Sequence, residues 1–562
     1  MREDMQILKV EGLHIAFDET PVVQGLSFSI DAAEIVALVG ESGSGKTLSS
    51  LALNGLLPAS ARWRADVLAF RDAVGDWRDL TTAAPALRGV DIGMVFQDPG
   101  AALNPLETCG YQVSETLVLR RGMSAAAARA EALQWLSRVG LDDPERIFRA
   151  YPHELSGGQK QRVMIAAAMA PRPRLLLADE PTTALDMTVQ KQILELLQGL
   201  CRENGTAVLF VSHDLNLVRA LADRVLVMRR GALIEQGTVA EVFERPAQPY
   251  TRALLQCRPS LSDRPHRLPV LADFLPEEAT LPHRQAVVRR TTDSSPVPGV
   301  QPFLEVRGLT VDFPLRRRHL LEKRQWLRAV DTLSFRLKAG QTLGIAGESG
   351  SGKTTLARVL LGLVRPVAGE VYLQGENILS ADPQRWAALR RQMQLIFQDP
   401  FSSLNPRIPV GEAILEPLRY HGIGSSDAER RERVAQVLQR VGLSLGDMDR
   451  FPAEFSGGQR QRIGIARAIA LRPRFLVCDE SVSSLDVSIQ AQTLNLLRDL
   501  QEELGLTCIF ISHDLSVIRF MSEQVLVMRN GRTVECGPAE EVLLRPAQPY
   551  TKLLLESVPG RG

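Results

Sequence analysis

The sequence predicts an α/β fold written twice in one chain, each copy a parallel sheet covered by helices. Three observations carry this. The eight residues Gly40, Glu41, Ser42, Gly43, Ser44, Gly45, Lys46 and Thr47 recur letter for letter as Gly347, Glu348, Ser349, Gly350, Ser351, Gly352, Lys353 and Thr354. Each copy stands between a short apolar run and a helical pattern. Further paired segments then recur along both halves at a spacing close to 300 residues.

The repeated stretch reads Gly-x-x-x-x-Gly-Lys-Thr. Glycines there let backbone N–H groups close around phosphate oxygens, where side chains would block the approach. Lys46 and Lys353 can reach the terminal phosphates, and the Thr47 and Thr354 hydroxyls can ligate magnesium. In the first copy Glu34–Val39 precedes the loop as a buried strand. A helix from Leu48 onward presents an N-terminus that favours an anion.

Both halves run in the same order. Ile7–Val10 and Phe303–Val306 open them with strand-like alternation. Phe-Gln-Asp-Pro segments follow at Gln97 and Gln398, 301 residues apart. Next comes a helix-rich stretch of about sixty residues, with helical periodicity over Ser124–Arg138 and Asp427–Arg440. It ends in Ser156, Gly157, Gly158 and Gln159, repeated 300 residues on as Ser456, Gly457, Gly458 and Gln459. Asp179-Glu180, His213 and the Gln-Pro-Tyr-Thr segment at 248–251 recur at the same offset of 300. Residues 258–302 hold eight of the 33 prolines and read as a stiff linker. The expected division is therefore a first half over 1–257, the linker, and a second half over 303–562.

At 562 residues the chain is too long for one core. With 45% hydrophobic and 23% charged residues it has the composition of a soluble globular protein. A net charge of +1 gives no global field that would demand nucleic acid or an anionic membrane. The six cysteines form no Cys-x-x-Cys pair, so no zinc site or disulfide framework is expected, and they fit a reducing cytoplasm. The charged start leads into no signal-peptide core, and no run of 18 apolar residues occurs. Any membrane role is expected to come through a partner.

Leu175–Glu180 and Phe475–Glu480 are apolar strands ending in paired carboxylates. Beside a phosphate loop, Asp179 and Asp479 are candidates for the magnesium shell. Glu180 and Glu480 are candidates for polarising an attacking water as general bases. His213 and His513 each follow a strand, Ala207–Val211 and Cys508–Ile511, where they can hold the water–glutamate geometry. The Ser-Gly-Gly-Gln segments offer hydroxyls and N–H groups ahead of helices, a second anion site.

Phosphate loop, glutamine, Ser-Gly-Gly-Gln, Asp-Glu, Leu185-Asp186 and Leu485-Asp486, then histidine, in that order, resemble the ATP-binding-cassette (ABC) ATPases. The resemblance covers nearly all of the chain except the linker. It implies two P-loop NTPase cassettes, each with a parallel-sheet core, an antiparallel β subdomain and a helical subdomain, paired head to tail within the molecule. It implies two sites for ATP and Mg²⁺. One would join Lys46, Thr47, Gln97, Asp179, Glu180 and His213 to the signature Ser456–Gln459. The other would join Lys353, Thr354, Gln398, Asp479, Glu480 and His513 to Ser156–Gln159. The metal ligands implied are Thr47, Gln97 and Asp179, and Thr354, Gln398 and Asp479. Phe17 and Phe313 match the adenine-stacking aromatic, and Asp186 and Asp486 the D-loop aspartate. One departure stands out: Pro181-Thr182 after the first catalytic pair becomes Ser481-Val482 after the second.

Phe96-Gln-Asp-Pro with Leu103-Asn-Pro105, its counterpart from Phe397, and the two Gln-Pro-Tyr-Thr tails are similar to peptide/nickel importer ATPases. The fused arrangement resembles the single-chain ATPases of microcin C/oligopeptide and glutathione importers. That implies two transmembrane permease subunits, a periplasmic solute-binding protein acting through them, and a place at the cytoplasmic face of the inner membrane. A tandem-cassette translation factor on the ribosome and an exporter ATPase are the alternatives. A linker of mixed sign and a nearly neutral C-terminus weigh against RNA, so no nucleic acid is expected.

Overall fold

The computed structural model describes residues 5–182, 187–275, 301–314, 326–399, 403–483 and 485–558. The chain divides between Gln256 and Cys257 into two compact units.

In the first unit a six-stranded sheet runs Ala232–Thr238, Arg224–Arg229, Ile35–Gly40, Ala207–Val211, Leu175–Asp179, Ile92–Val95. Only the Ala232–Thr238 edge strand is antiparallel. All residues of Ile35–Gly40, Leu175–Asp179 and Ala207–Val211 are buried, as parallel strands covered on both faces require. The second unit repeats this with Met393–Ile396, Phe475–Asp479, Thr507–Ile511, Thr342–Ala346, Gln524–Arg529 and Arg532–Pro538.

Each unit adds an antiparallel sheet, centred on Gln6–Phe17 with Thr20–Asp31 in the first and on Leu304–Pro314 with Trp326–Leu337 in the second. Their inward residues join those of the parallel sheet in one core per unit. The expected strands at Ile7–Val10 and Phe303–Val306 are the openings of these longer ones.

Between glutamine and signature stand the helices. Ala125–Arg138 begins after Ser124, whose hydroxyl accepts from the Ala127 N–H. It buries Ala128, Ala132, Trp135 and Leu136, one stripe at helical spacing, and stops at Gly140, whose φ is +72°. Asp427–Arg440 follows the same plan after Ser426.

One expectation is corrected. The prolines of 258–302 suggested a linker, yet Cys257–Leu275 packs within the second unit. Leu268 exchanges two backbone hydrogen bonds with the Asn495 side chain, at 2.9 and 2.8 Å. Arg519 donates to the Leu261 carbonyl, and Arg264 pairs with Glu523 at 3.2 Å. Prolines limit regular structure there to the short helix Leu271–Phe274, but Leu261, Leu268, Val270 and Leu271 between them are buried. The linker reading from 276 to 300, the Leu185-Asp186 segment and most of the basic insert after Pro314 lie outside the described residues.

Candidate nucleotide sites

The phosphate loop is shaped by its glycines. Gly45 and Gly352 adopt φ of +96° and +101°, in the left-handed region. A Cβ on Gly45 would meet Val23 Cγ2 at 2.7 Å, and one on Gly352 would meet the Ala329 carbonyl at 2.3 Å. The loop is therefore pressed against the antiparallel sheet. Nothing lies within 4 Å of the Cβ position of Gly43 or Gly350, so that part of the loop is open. The helices Lys46–Leu53 and Lys353–Leu360 start at the lysines, two residues before the apolar pattern suggested in the first copy.

Lys46 Nζ donates to the Gly40 and Glu41 carbonyls, both at 2.8 Å, and Lys353 repeats this with Gly347 and Glu348. The ammonium is thus folded over its own loop. Ser44 Oγ and Ser351 Oγ are buried with no hydrogen-bond partner among the described residues. Orphaned hydroxyls inside a glycine loop fit a phosphate.

Thr47 Oγ1 donates to Asp179 Oδ1 at 3.1 Å, and Thr354 to Asp479 at 3.3 Å. Burial pushes the Asp179 carboxyl up to about 6, against the Thr47 hydrogen bond, and Asp479 moves the same way for the same reason. A buried carboxylate beside a hydroxyl is a hard oxygen donor set that a divalent cation would satisfy.

Glu180 and Glu480 leave their strands with φ of +44° and +46°. Non-glycine residues rarely sit there, and the strain recurs in both units. Their N–H groups are fixed to the Val211 and Ile511 carbonyls at 2.9 and 3.0 Å. Gln97 donates to Glu180 at 2.9 Å, and Gln398 to Glu480 at 2.7 Å. His213 Nδ1 lies 3.0 Å from Glu180, and His513 Nδ1 lies 3.8 Å from Glu480. The His513 side holds the Glu480 carboxyl below its usual range. Burial works against charge on His513, but the Glu480 carboxylate raises it overall.

Ser156 and Gln159 cap the helix Gly157–Met169 reciprocally, and Ser456 and Gln459 cap Gly457–Ile469. Ser156, Gly157, Ser456 and Gly457 remain exposed, so these helix ends keep an accessible face. Phe17 ends the strand Gln6–Phe17 half-buried, and Phe313 is exposed, which suits a stacking platform better than a core. Asp486 is buried at the start of Val487–Leu504; Asp186 lies outside the described residues.

One contact was not read from the sequence. Tyr250, in the repeated Gln-Pro-Tyr-Thr segment, is buried under Arg229, whose guanidinium is 5.0 Å from the ring centre. Its hydroxyl donates to the phosphate-loop residue Glu41 at 3.4 Å. Tyr550 lies likewise under Arg529, at 4.6 Å, with its hydroxyl beside Glu348, the phosphate-loop counterpart of Glu41. Burial first and the Glu348 carboxylate second push the Tyr550 phenol up to about 12. The only signal in the sequence was the recurrence of the segment.

Known families match this geometry. The ABC transporter profile matches residues 23–183 and 330–483. The profile of the oligopeptide/dipeptide transporter C-terminal region matches 234–283 and 534–561. Its first match includes the arm that packs within the second unit. The glutathione import ATP-binding protein GsiA of Escherichia coli O157:H7 is 45% identical over 567 aligned residues, covering 98% of this chain and 89% of that protein. The protein of the same name from Salmonella typhimurium is 44% identical, over 99% of this chain and 90% of its own length. The chain belongs to the ABC transporter family, as an ATPase with two cassettes.

Proposed function

We propose that this chain is the energy-coupling ATPase of an importer for peptides or peptide-like solutes, the class to which the glutathione import of its relatives belongs. The observation that carries this is the pairing of two complete sets of nucleotide-site residues with relatives aligned over 98% of the chain. In this reading each phosphate loop and each Ser-Gly-Gly-Gln helix end contributes to an ATP site. Thr47, Gln97 and Asp179, and Thr354, Gln398 and Asp479, would hold magnesium, which would supply neutralisation of phosphate charge.

The chain's own groups do the rest. Lys46 and Lys353 turn from their loop carbonyls to the phosphates. Glu180 and Glu480 accept the proton of the attacking water. Gln97 and His213, or Gln398 and His513, hold that carboxylate in one orientation. Phe17 and Phe313 stack on adenine. Closing of the units on ATP, with release after hydrolysis, would turn two transmembrane permease subunits between access states. A cavity of 480 Å³ beside the second glutamine segment, lined by Phe397, Asn405, Pro417 and Arg467 among others, offers such a permease a seat. A periplasmic solute-binding protein would act through the permeases, with the chain at the cytoplasmic face of the inner membrane.

The test is a mild-detergent pull-down of the tagged chain from native membranes. Two polytopic permeases and a solute-binding protein are expected. Ribosomal proteins without a permease would overturn the reading.

A further inference from the structure

The two units are nearly the same module, so a place where their charges diverge is informative. One lies at the junction of the parallel sheet and the helices. Asp91 precedes the strand Ile92–Val95, and Gln392 precedes Met393–Ile396. The correspondence is fixed by a shared backbone bond: Arg174 N–H donates to the Asp91 carbonyl and Arg474 N–H to the Gln392 carbonyl, both at 2.9 Å. Glu131 and Arg433 each stand seven residues before the last residue of a 14-residue helix. Two carboxylates of the first unit are thus an amide and a guanidinium in the second.

In the first unit the charges balance. Glu131 pairs with Arg172 at 3.4 Å, and Asp91 lies in the field of Arg121 and Arg174. In the second unit Arg391, Arg433, Arg472 and Arg474 line a cavity of 1010 Å³ together with Tyr420 and His421. No carboxylate lines it among the described residues. None of the four guanidinium groups makes an ion pair there among the described residues. On the same helix Glu432 directly precedes Arg433, and Glu429, four residues before it, is bound to the N–H and hydroxyl of Ser425. Arg433 is destabilised as a cation by burial first, then by Arg472 and Arg391.

Clustered guanidinium groups repel one another, and a multivalent oxyanion converts that repulsion into bidentate, charge-assisted hydrogen bonds. The exposed Tyr420 ring packs edge-on against His421 at 4.9 Å, adding an apolar wall beside the charge. We infer that the cavity bounded by Arg391, Arg433, Arg472 and Arg474 is a binding site for a phosphorylated anion, present in the second unit alone. It shares no residue with either nucleotide site and does not depend on the proposed transport role. The phosphate comes either from a soluble compound or from a phospholipid headgroup.

The experiment uses the full chain carrying Glu180→Gln and Glu480→Gln, saturated with Mg·ATP so that both phosphate loops are filled. Inorganic pyrophosphate is titrated in by calorimetry at fixed free magnesium. In parallel, the chain is sedimented with phosphatidylcholine vesicles with and without phosphatidylglycerol. The comparison is a chain that also carries Gln392→Asp and Arg433→Glu, the residues of the first unit, and a second with Arg391→Ala. Pyrophosphate binding weakened about tenfold or more in both variants, with ATP binding unchanged, establishes a soluble ligand. Phosphatidylglycerol-dependent sedimentation lost in both, without pyrophosphate binding, establishes a headgroup. The inference is overturned if the parent binds neither, or if the variants bind as the parent does.

Discussion

Thr47 and Thr354 reach their aspartates at 3.1 and 3.3 Å, and Gln97 and Gln398 reach their glutamates at 2.9 and 2.7 Å. Away from these groups the same two units place Asp91 opposite Gln392 and Glu131 opposite Arg433. The Thr–Asp and Gln–Glu pairs keep their distances, while the histidine–glutamate distance opens from 3.0 Å at His213 to 3.8 Å at His513. A surface junction obeys only packing and charge balance, and there one unit neutralises what the other leaves positive. Between these extremes lies Pro181 against Ser481.

The largest effect should fall on the lysines and should be equal. Lys46→Ala and Lys353→Ala each remove a cation from a phosphate loop, and ATP turnover should drop by roughly 10²–10³-fold in both. A steady-state phosphate-release assay checks this, and one near-normal variant would break the equivalence of the sites.

The tyrosines should show a smaller effect. Tyr250→Phe removes a hydrogen bond to the loop residue Glu41, about 0.5–1.5 kcal/mol. The KM for ATP should rise a few-fold with kcat nearly unchanged, and Tyr550→Phe, which faces Glu348, should act in the same direction. Unchanged kinetics in Tyr250→Phe would mean that the 3.4 Å contact contributes nothing.

The smallest effect concerns the residue after the proposed general base. Glu180, at φ +44°, already precedes a proline, so the matching backbone at Glu480 can accept one. Ser481 Oγ is buried beside the Cys478 thiol. Ser481→Pro should stabilise the second unit by about 0.4–1 kcal/mol, read as a higher midpoint in urea. A lower midpoint would show that the serine hydroxyl is needed.

Much of this was legible in the sequence because the chemistry is written in contiguous stretches. A glycine loop, an apolar strand ending in Asp-Glu and a serine before a helical stripe each carry their own local cause. Ser124 and Ser426 cap the helices that their periodicity suggested. What stayed hidden depends on distant partners. The Tyr250–Glu41 contact joins residues 209 positions apart, and the arginine cavity is assembled from residues between 387 and 474. The arm at 257–275 was misread because prolines spoke louder than the leucines between them. Proline forbids regular structure but not burial, and Leu268 is 1% exposed.

On the proposed mechanism both cassettes hydrolyse ATP, each with its own glutamate. The direct measurement is turnover of Glu180→Gln, Glu480→Gln and the double variant, side by side at saturating Mg·ATP. The account predicts similar losses in the two single variants and the loss of roughly 10²–10⁴-fold in the double variant. A single variant that keeps the parent rate while the other loses nearly all of it would contradict the account, leaving one working site and one that only binds.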